Sequence, residues 1–103
     1  MSKFDKLVEL AKDSVEDYII RYNEYRNIVF IPTKTEDLIL ELGGDWYLNI
    51  LLMAGYSQKT IDRKIDKMDF YELQIAIDDW YKTEMYPKLY NKFKSEGKEI
   101  LDY

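Results

Sequence analysis

Neither cysteine nor histidine occurs in the 103 residues. Without cysteine there are no disulfides and no thiolate metal sites, as suits a reducing compartment. Without histidine there is no Ser-His or Cys-His pair and no imidazole-held zinc. The four glycines form no loop that cradles phosphate. Long hydrophobic runs are missing too: no apolar stretch approaches the roughly 18 residues of a membrane span. Lys3 to Leu10 alternates charge with apolar residues where a signal peptide requires continuous hydrophobicity. Basic charge is scarce in the middle of the chain, where Lys34 stands alone against Glu36, Asp37, Glu41 and Asp45 between Ile28 and Ser57. With a net charge of −5 and no basic stripe, the chain has no footprint for a phosphate backbone, so direct nucleic-acid binding is not expected. The expectation is a cytoplasmic protein that binds neither membrane nor nucleic acid and carries no cofactor.

What is present describes a folding chain. Hydrophobic residues at 47% and charged residues at 34% lie far from the composition of disordered proteins. The length supports one domain, 1–103, with a modest core. Phe4, Leu7, Val8, Ala11, Val15, Tyr18, Ile19 and Tyr22 recur at helical steps over about six turns, with Ser2 and Asp5 placed to cap the start. Asn27 breaks that pattern. Ile28 to Ile31, a β-branched run ending at Pro32, reads as an extended connector because no partner strand is evident. Thr33 with Glu36, or Thr35 alone, caps a two-turn helix through Leu42, which Gly43-Gly44 breaks before Asp45 caps the next segment. Trp46 to Ala54 has almost no polar face and reads as central. Gly55 stops it, and Ser57 caps a short helix carrying Ile61, Ile65 and Met68. Asp69 with Glu72 forms a second capping box for a longer helix with the stripe Phe70, Leu73, Ala76, Ile77, Trp80 and Tyr81. Tyr86-Pro87 marks a boundary, a last helix runs to Ser95, Gly97 ends it, and the apolar tail 97–103 docks or frays. The expected fold is all-α: a compact single domain of about five to six helices, one long at the N-terminus and several short.

Catalytic groupings are sparse. Asp62, Asp66 and Asp69 share one helical face, but Arg63, Lys64 and Lys67 are interleaved, which reads as a mixed-charge solvated surface rather than a cation site. Asp78 and Asp79 diverge by about 100° on a helix and do not converge as an acid/base pair. A non-enzymatic protein is expected. The ten tyrosines and two tryptophans are more informative, since aromatic side chains are enriched at protein interfaces. Trp46, Tyr56 and Trp80 are read as packed. Tyr71 and Ile75 fall about 100–140° around the helix from Phe70 and make a second apolar patch that needs a partner. Should that patch prove to be core, Tyr18, Tyr22 and Tyr25 become the aromatic binding candidates. The acidic region Glu36, Asp37, Glu41 and Asp45 is a separate candidate for covering a basic partner.

Gly55-Tyr56-Ser57 followed by Gln58, Thr60 and Ile61 looks like the first helix of a helix-turn-helix, but Asp62 stands where a small residue belongs and no glycine marks the turn. A second resemblance uses Gly55-Tyr56-Ser57, Ile61 or Ile65, Met68-Asp69, Glu72-Leu73, Ile77 and Trp80, about a quarter of the chain. This pattern resembles the C-terminal part of bacteriophage tail assembly chaperones. The resemblance implies a small acidic helical protein that binds hydrophobic helical segments of a tape measure protein, or another structural client, in the host cytoplasm. The alternative is a small phage-type inhibitor, of an anti-defence or anti-CRISPR kind, that covers a basic surface of a host nucleic-acid-binding protein. Both imply a protein partner, and both allow a homo-oligomer.

Overall fold

A computed structural model describes residues 2–67 and 71–102. The first helix, α1 (Lys3–Asn23), opens with the expected capping box: the Asp5 amide donates to Ser2 Oγ at 3.0 Å and the Ser2 amide to Asp5 Oδ2 at 3.4 Å. Its buried stripe advances by four residues, from Leu7 through Ala11, Val15 and Ile19 to Asn23. Strand β1 (Ile28–Ile31) follows, with Val29 and Ile31 buried. The next helix, α2 (Thr35–Ala54), is bent at Gly43, whose φ of 83° and ψ of −179° lie in a region only glycine occupies readily. The sequence places its break there. Gly55, at φ 93°, terminates α2, and the Gly55 and Tyr56 amides return to the carbonyls of Leu52 and Leu51.

Ser57 then caps α3 (Gln58–Lys67) by accepting the Thr60 amide at 3.3 Å, and Ile61 is fully buried. Helix α4 (Tyr71–Trp80) leads into a π-helical stretch, Tyr81–Met85, and on into α5 (Tyr86–Ser95). The capping box expected at Asp69, with Met68 and Phe70 beside it, lies outside the described residues. Gly97 takes φ 76° and ends α5, after which β2 (Glu99–Asp102) begins. The described residues are therefore mostly helical, with two short strands.

Three expectations are corrected. First, Tyr86-Pro87 does not interrupt the helix. Proline lacks an amide hydrogen and its ring crowds the carbonyl four residues back, which ordinarily kinks or ends a helix. Here the turn just before it is widened, with the Tyr86 amide reaching the Tyr81 carbonyl, and the chain stays helical from Tyr71 to Ser95. Second, the connector Ile28–Ile31 and the tail after Gly97 pair as parallel strands, Ile28 opposite Glu99 and Ile31 opposite Asp102, with the Glu99 amide donating to the Asn27 carbonyl at 3.1 Å. Third, neither Thr33 nor Thr35 caps α2. Lys34 is the N-cap residue without a side-chain bond, while the buried Thr35 donates its hydroxyl to Asp78 Oδ1 at 3.1 Å and ties α2 to α4.

One hydrophobic cluster joins all these elements, including Leu7 and Val15 of α1, Val29 and Ile31 of β1, Leu51 of α2, Ile77 of α4 and Phe93 of α5. Two polar devices fix β1 within it. Asn23, fully buried, accepts the Phe30 amide on Oδ1 at 2.8 Å and donates Nδ2 to the Phe30 carbonyl at 2.8 Å and the Ile19 carbonyl at 2.9 Å. The side chain thus acts as a one-residue strand. Tyr81, also fully buried, donates its hydroxyl to the Pro32 carbonyl, and burial pushes its phenol well above the usual range.

Candidate protein-binding groove

The C-terminal half of α1, the end of β1 and the first half of α2 enclose a groove. Tyr18 and Tyr22, one turn apart on α1, stack with ring centroids 6.2 Å apart. The stack is braced from outside by Arg26, whose guanidinium sits 4.4 Å from the Tyr22 ring and whose Nε donates to the Tyr22 carbonyl at 3.0 Å. Phe30 and Pro32 form the floor with Leu38, and Leu40, Asp37 and Glu41 make the far wall. Alternation along β1 explains the floor: Val29 and Ile31 face the core, so Phe30 turns outward beneath the tyrosines. The main depression holds about 520 Å³ and a narrower one of about 60 Å³ runs under the tyrosine pair; they share Phe30, Pro32, Leu38 and Glu41.

A hydrogen bond bridges the walls. Tyr18 donates its hydroxyl to Glu41 Oε2 at 2.8 Å, and this bond to the carboxylate, with burial second, raises the Tyr18 phenol above its usual value. Each wall also presents an exposed apolar side chain, Tyr22 on α1 at 45% and Leu40 on α2 at 61%.

A second depression of about 380 Å³ lies on the other side of the start of α2. Glu36, Gln74, Ile75 and Asp79 line it, together with the Lys82–Asp78 ion pair of 2.9 Å. Hydrogen bonding from Lys82 holds the Asp78 carboxyl below its usual range, against a smaller opposing effect of burial. Lys34 lines both this depression and the main groove.

Of the residues singled out from the sequence, Tyr18, Tyr22, Asp37 and Glu41 come together in the groove. Glu36 and Ile75 line the second depression. Tyr71, 66% exposed, stands one turn before Ile75, which is 57% exposed, so the patch on α4 faces outward. Tyr25, 92% exposed, projects beyond the end of α1, and Asp45 is exposed past the Gly43 bend; neither lines the groove or the second depression. Trp46, Tyr56 and Trp80 are half-buried against the core, Trp80 with the Lys12 ammonium 5.5 Å from its ring.

Phe30, Pro32, Leu38 and Leu40 went unrecognised as site residues. For Leu40 a signal existed: in the short helix ending at Leu42, the core face takes Leu38 and Ile39, and Leu40 falls on the side shared with Glu36 and Asp37.

Among the described residues no three carboxylates gather as a metal site. Asp62 is exposed and accepts a bond from Gln58 Nε2 at 2.8 Å, while Asp69 lies outside the described residues. Nor is any described helix long and apolar enough to cross a membrane. Comparisons with protein-family models, curated proteins and solved structures gave no match.

Proposed function

We propose that this chain is a non-enzymatic protein-binding module that holds an apolar segment of another protein in the groove between α1 and α2. The observation that carries this reading is the groove itself: the half-buried Phe30, lying over the already buried Pro32 and Leu38, is rimmed by the exposed Tyr22 and Leu40. Large apolar side chains left on a concave surface gain free energy when a partner covers them, at about 25 cal/mol per Å² of apolar area removed from water. The client would be of the kind a phage tail assembly chaperone shields, a hydrophobic helical stretch of a tape measure or other structural protein in the host cytoplasm. Glu36, Asp37 and Glu41 favour a second reading, an inhibitor laid over a basic surface of a host nucleic-acid-binding protein.

Photo-crosslinking distinguishes them. With benzoylphenylalanine in place of Leu40 in cells producing the natural partner, one protein is expected to crosslink. Replacement of Leu52, another exposed apolar residue of α2 that lines no part of the groove, is expected to trap none. A long helical structural protein that still crosslinks when lysate is irradiated at about 0.5 M NaCl supports the chaperone reading, whereas a basic nuclease whose crosslink is lost at that salt supports the inhibitor. Crosslinking from Leu52 and not from Leu40 refutes both at this site.

A further inference from the structure

The backbone of β1 restricts what the groove can hold. Peptide grooves beside a strand are commonly filled by an added strand, which pairs with the open main-chain edge. Where β1 borders the groove, at Phe30, neither edge is open in that way. On one side it is paired with β2, and on the other the amide and carbonyl of Phe30 are both held by Asn23. Pro32, the next floor residue, has no amide hydrogen to offer, and its carbonyl already accepts from Tyr81. An extended partner would have to desolvate its own main chain over Phe30 and Pro32 without finding partners there. A helix, with its main-chain bonds made internally, avoids that cost.

Charge defines the helix further. Asp37 and Glu41 are four residues apart on the same face of α2, at the wall of the groove. Neither has an ion-pair partner among the described residues, so both carboxylates are open to a basic side chain. Among the described residues Glu41 is occupied by the Tyr18 hydroxyl alone, on one oxygen. An incoming ammonium or guanidinium can take the other oxygen or displace the phenol, replacing a neutral donor with a charged one.

We infer that the groove's partner is an amphipathic helix whose apolar side chains cover Tyr22, Phe30 and Leu40 and whose Lys or Arg pairs with Glu41 and Asp37. This rests on the groove being the binding surface. Three synthetic helical peptides of matched length test it: one of Leu and Lys, one of Leu and Gln, and one of Ser and Lys. Each is titrated by fluorescence anisotropy, and amide shifts at Phe30 and Leu40 are followed by NMR. The Leu-Lys peptide is expected to bind tightest and to shift both groove amides.

Glu41→Gln, and Asp37→Asn as a second variant, should each weaken binding of the Leu-Lys peptide by about two- to fivefold, the range of a partly exposed ion pair. Asp13→Asn makes the same change in net charge on an exposed site of α1 and should leave it unaltered. Equal binding of the Leu-Gln peptide with groove shifts overturns the basic partner and leaves the binding module standing. Equal weakening by Asp13→Asn, or equal binding of the Ser-Lys peptide, reduces the effect to long-range charge and also overturns the inference. Failure of both Leu-containing peptides to shift Phe30 and Leu40 overturns the inference and the groove together.

Discussion

Replacing Asn23 should expose how much of the fold depends on one amide. The side chain makes three hydrogen bonds of 2.8–2.9 Å at a fully buried site, two of them to the main chain of Phe30. At about 0.5–1.5 kcal/mol net for each, Asn23→Ala removes about 3 kcal/mol, and more if the freed groups of Phe30 stay dry. For a domain this small, that lowers Tm by about 12–24 °C. Asn23→Leu fills the volume but orphans the same groups, so it should lose a similar amount; recovery of most of the stability would mean that the Ala loss is a cavity effect.

Asn23→Asp adds a test of sign. The new carboxylate can still accept the Phe30 amide, but it sits against the carbonyls of Ile19 and Phe30 in a buried site, so the folded state favours the protonated form. Its folded pKa is then raised above the unfolded value of about 4. The variant's deficit should be smallest below that value and grow as pH rises through the folded pKa. Urea unfolding followed by circular dichroism at about pH 3.5 and pH 7, each against the parent, measures both effects. An Asn23→Ala loss under about 0.5 kcal/mol, or an Asn23→Asp deficit that shrinks towards neutral pH, would refute the reasoning.

Tyr81→Phe leaves the Pro32 carbonyl without its donor and should cost about 1–3 kcal/mol in thermal or urea unfolding. Because burial raises the folded Tyr81 pKa, stability present below the unfolded value of about 10 should fall as pH rises past it, and ultraviolet titration should show one tyrosine ionising only as the protein unfolds. Gly43→Ala meets no atom within 4 Å of the added Cβ, so its loss of about 1–3 kcal/mol comes from the backbone at φ 83° alone; an unchanged Tm would mean that α2 has straightened. Tyr71→Ser with Ile75→Ser, at two exposed positions, should move Tm by only a few degrees, whereas Ile77→Ala, one helical step into the core, should cost about 2–5 kcal/mol by denaturant unfolding.

Signals confined to one turn of chain were readable from the sequence. The Ser2–Asp5 box, the stop at Gly55, the Ser57 cap and the break at Gly43 each depend on residues within a few positions of one another, and each occurs where the pattern places it. What could not be read depends on distant partners. The run Ile28–Ile31 looks solitary until Glu99–Asp102 returns beside it, and a four-residue strand carries too little alternation to announce its mate. Pro87 misled for a related reason, since the local rule is correct but the widened turn before it is held by Tyr81 and Met85, both buried in the core. Asn23 left a trace that was overlooked: it continues the four-residue buried stripe of α1, where a polar side chain must find bonds inside the protein. In the groove, the tyrosines and carboxylates were recognisable by type, but the floor that unites them is assembled by the outward turn of Phe30 and the approach of α2.

The two ties on β1 differ in reach, and this orders the route by which the chain folds. Asn23 and Phe30 are seven residues apart, a short loop that closes cheaply once α1 exists. The pairing of Ile28 with Glu99 has to wait for nearly the whole intervening chain to compact, and contacts of such separation are slow to form. β1 is therefore expected to form early against α1 and β2 to lock last, with the Lys98 ammonium donating to the Asn23 and Glu24 carbonyls at the end of α1. A lesion at Lys98 should consequently hasten unfolding and leave the folding rate nearly unchanged, whereas a lesion at Asn23 should slow folding itself.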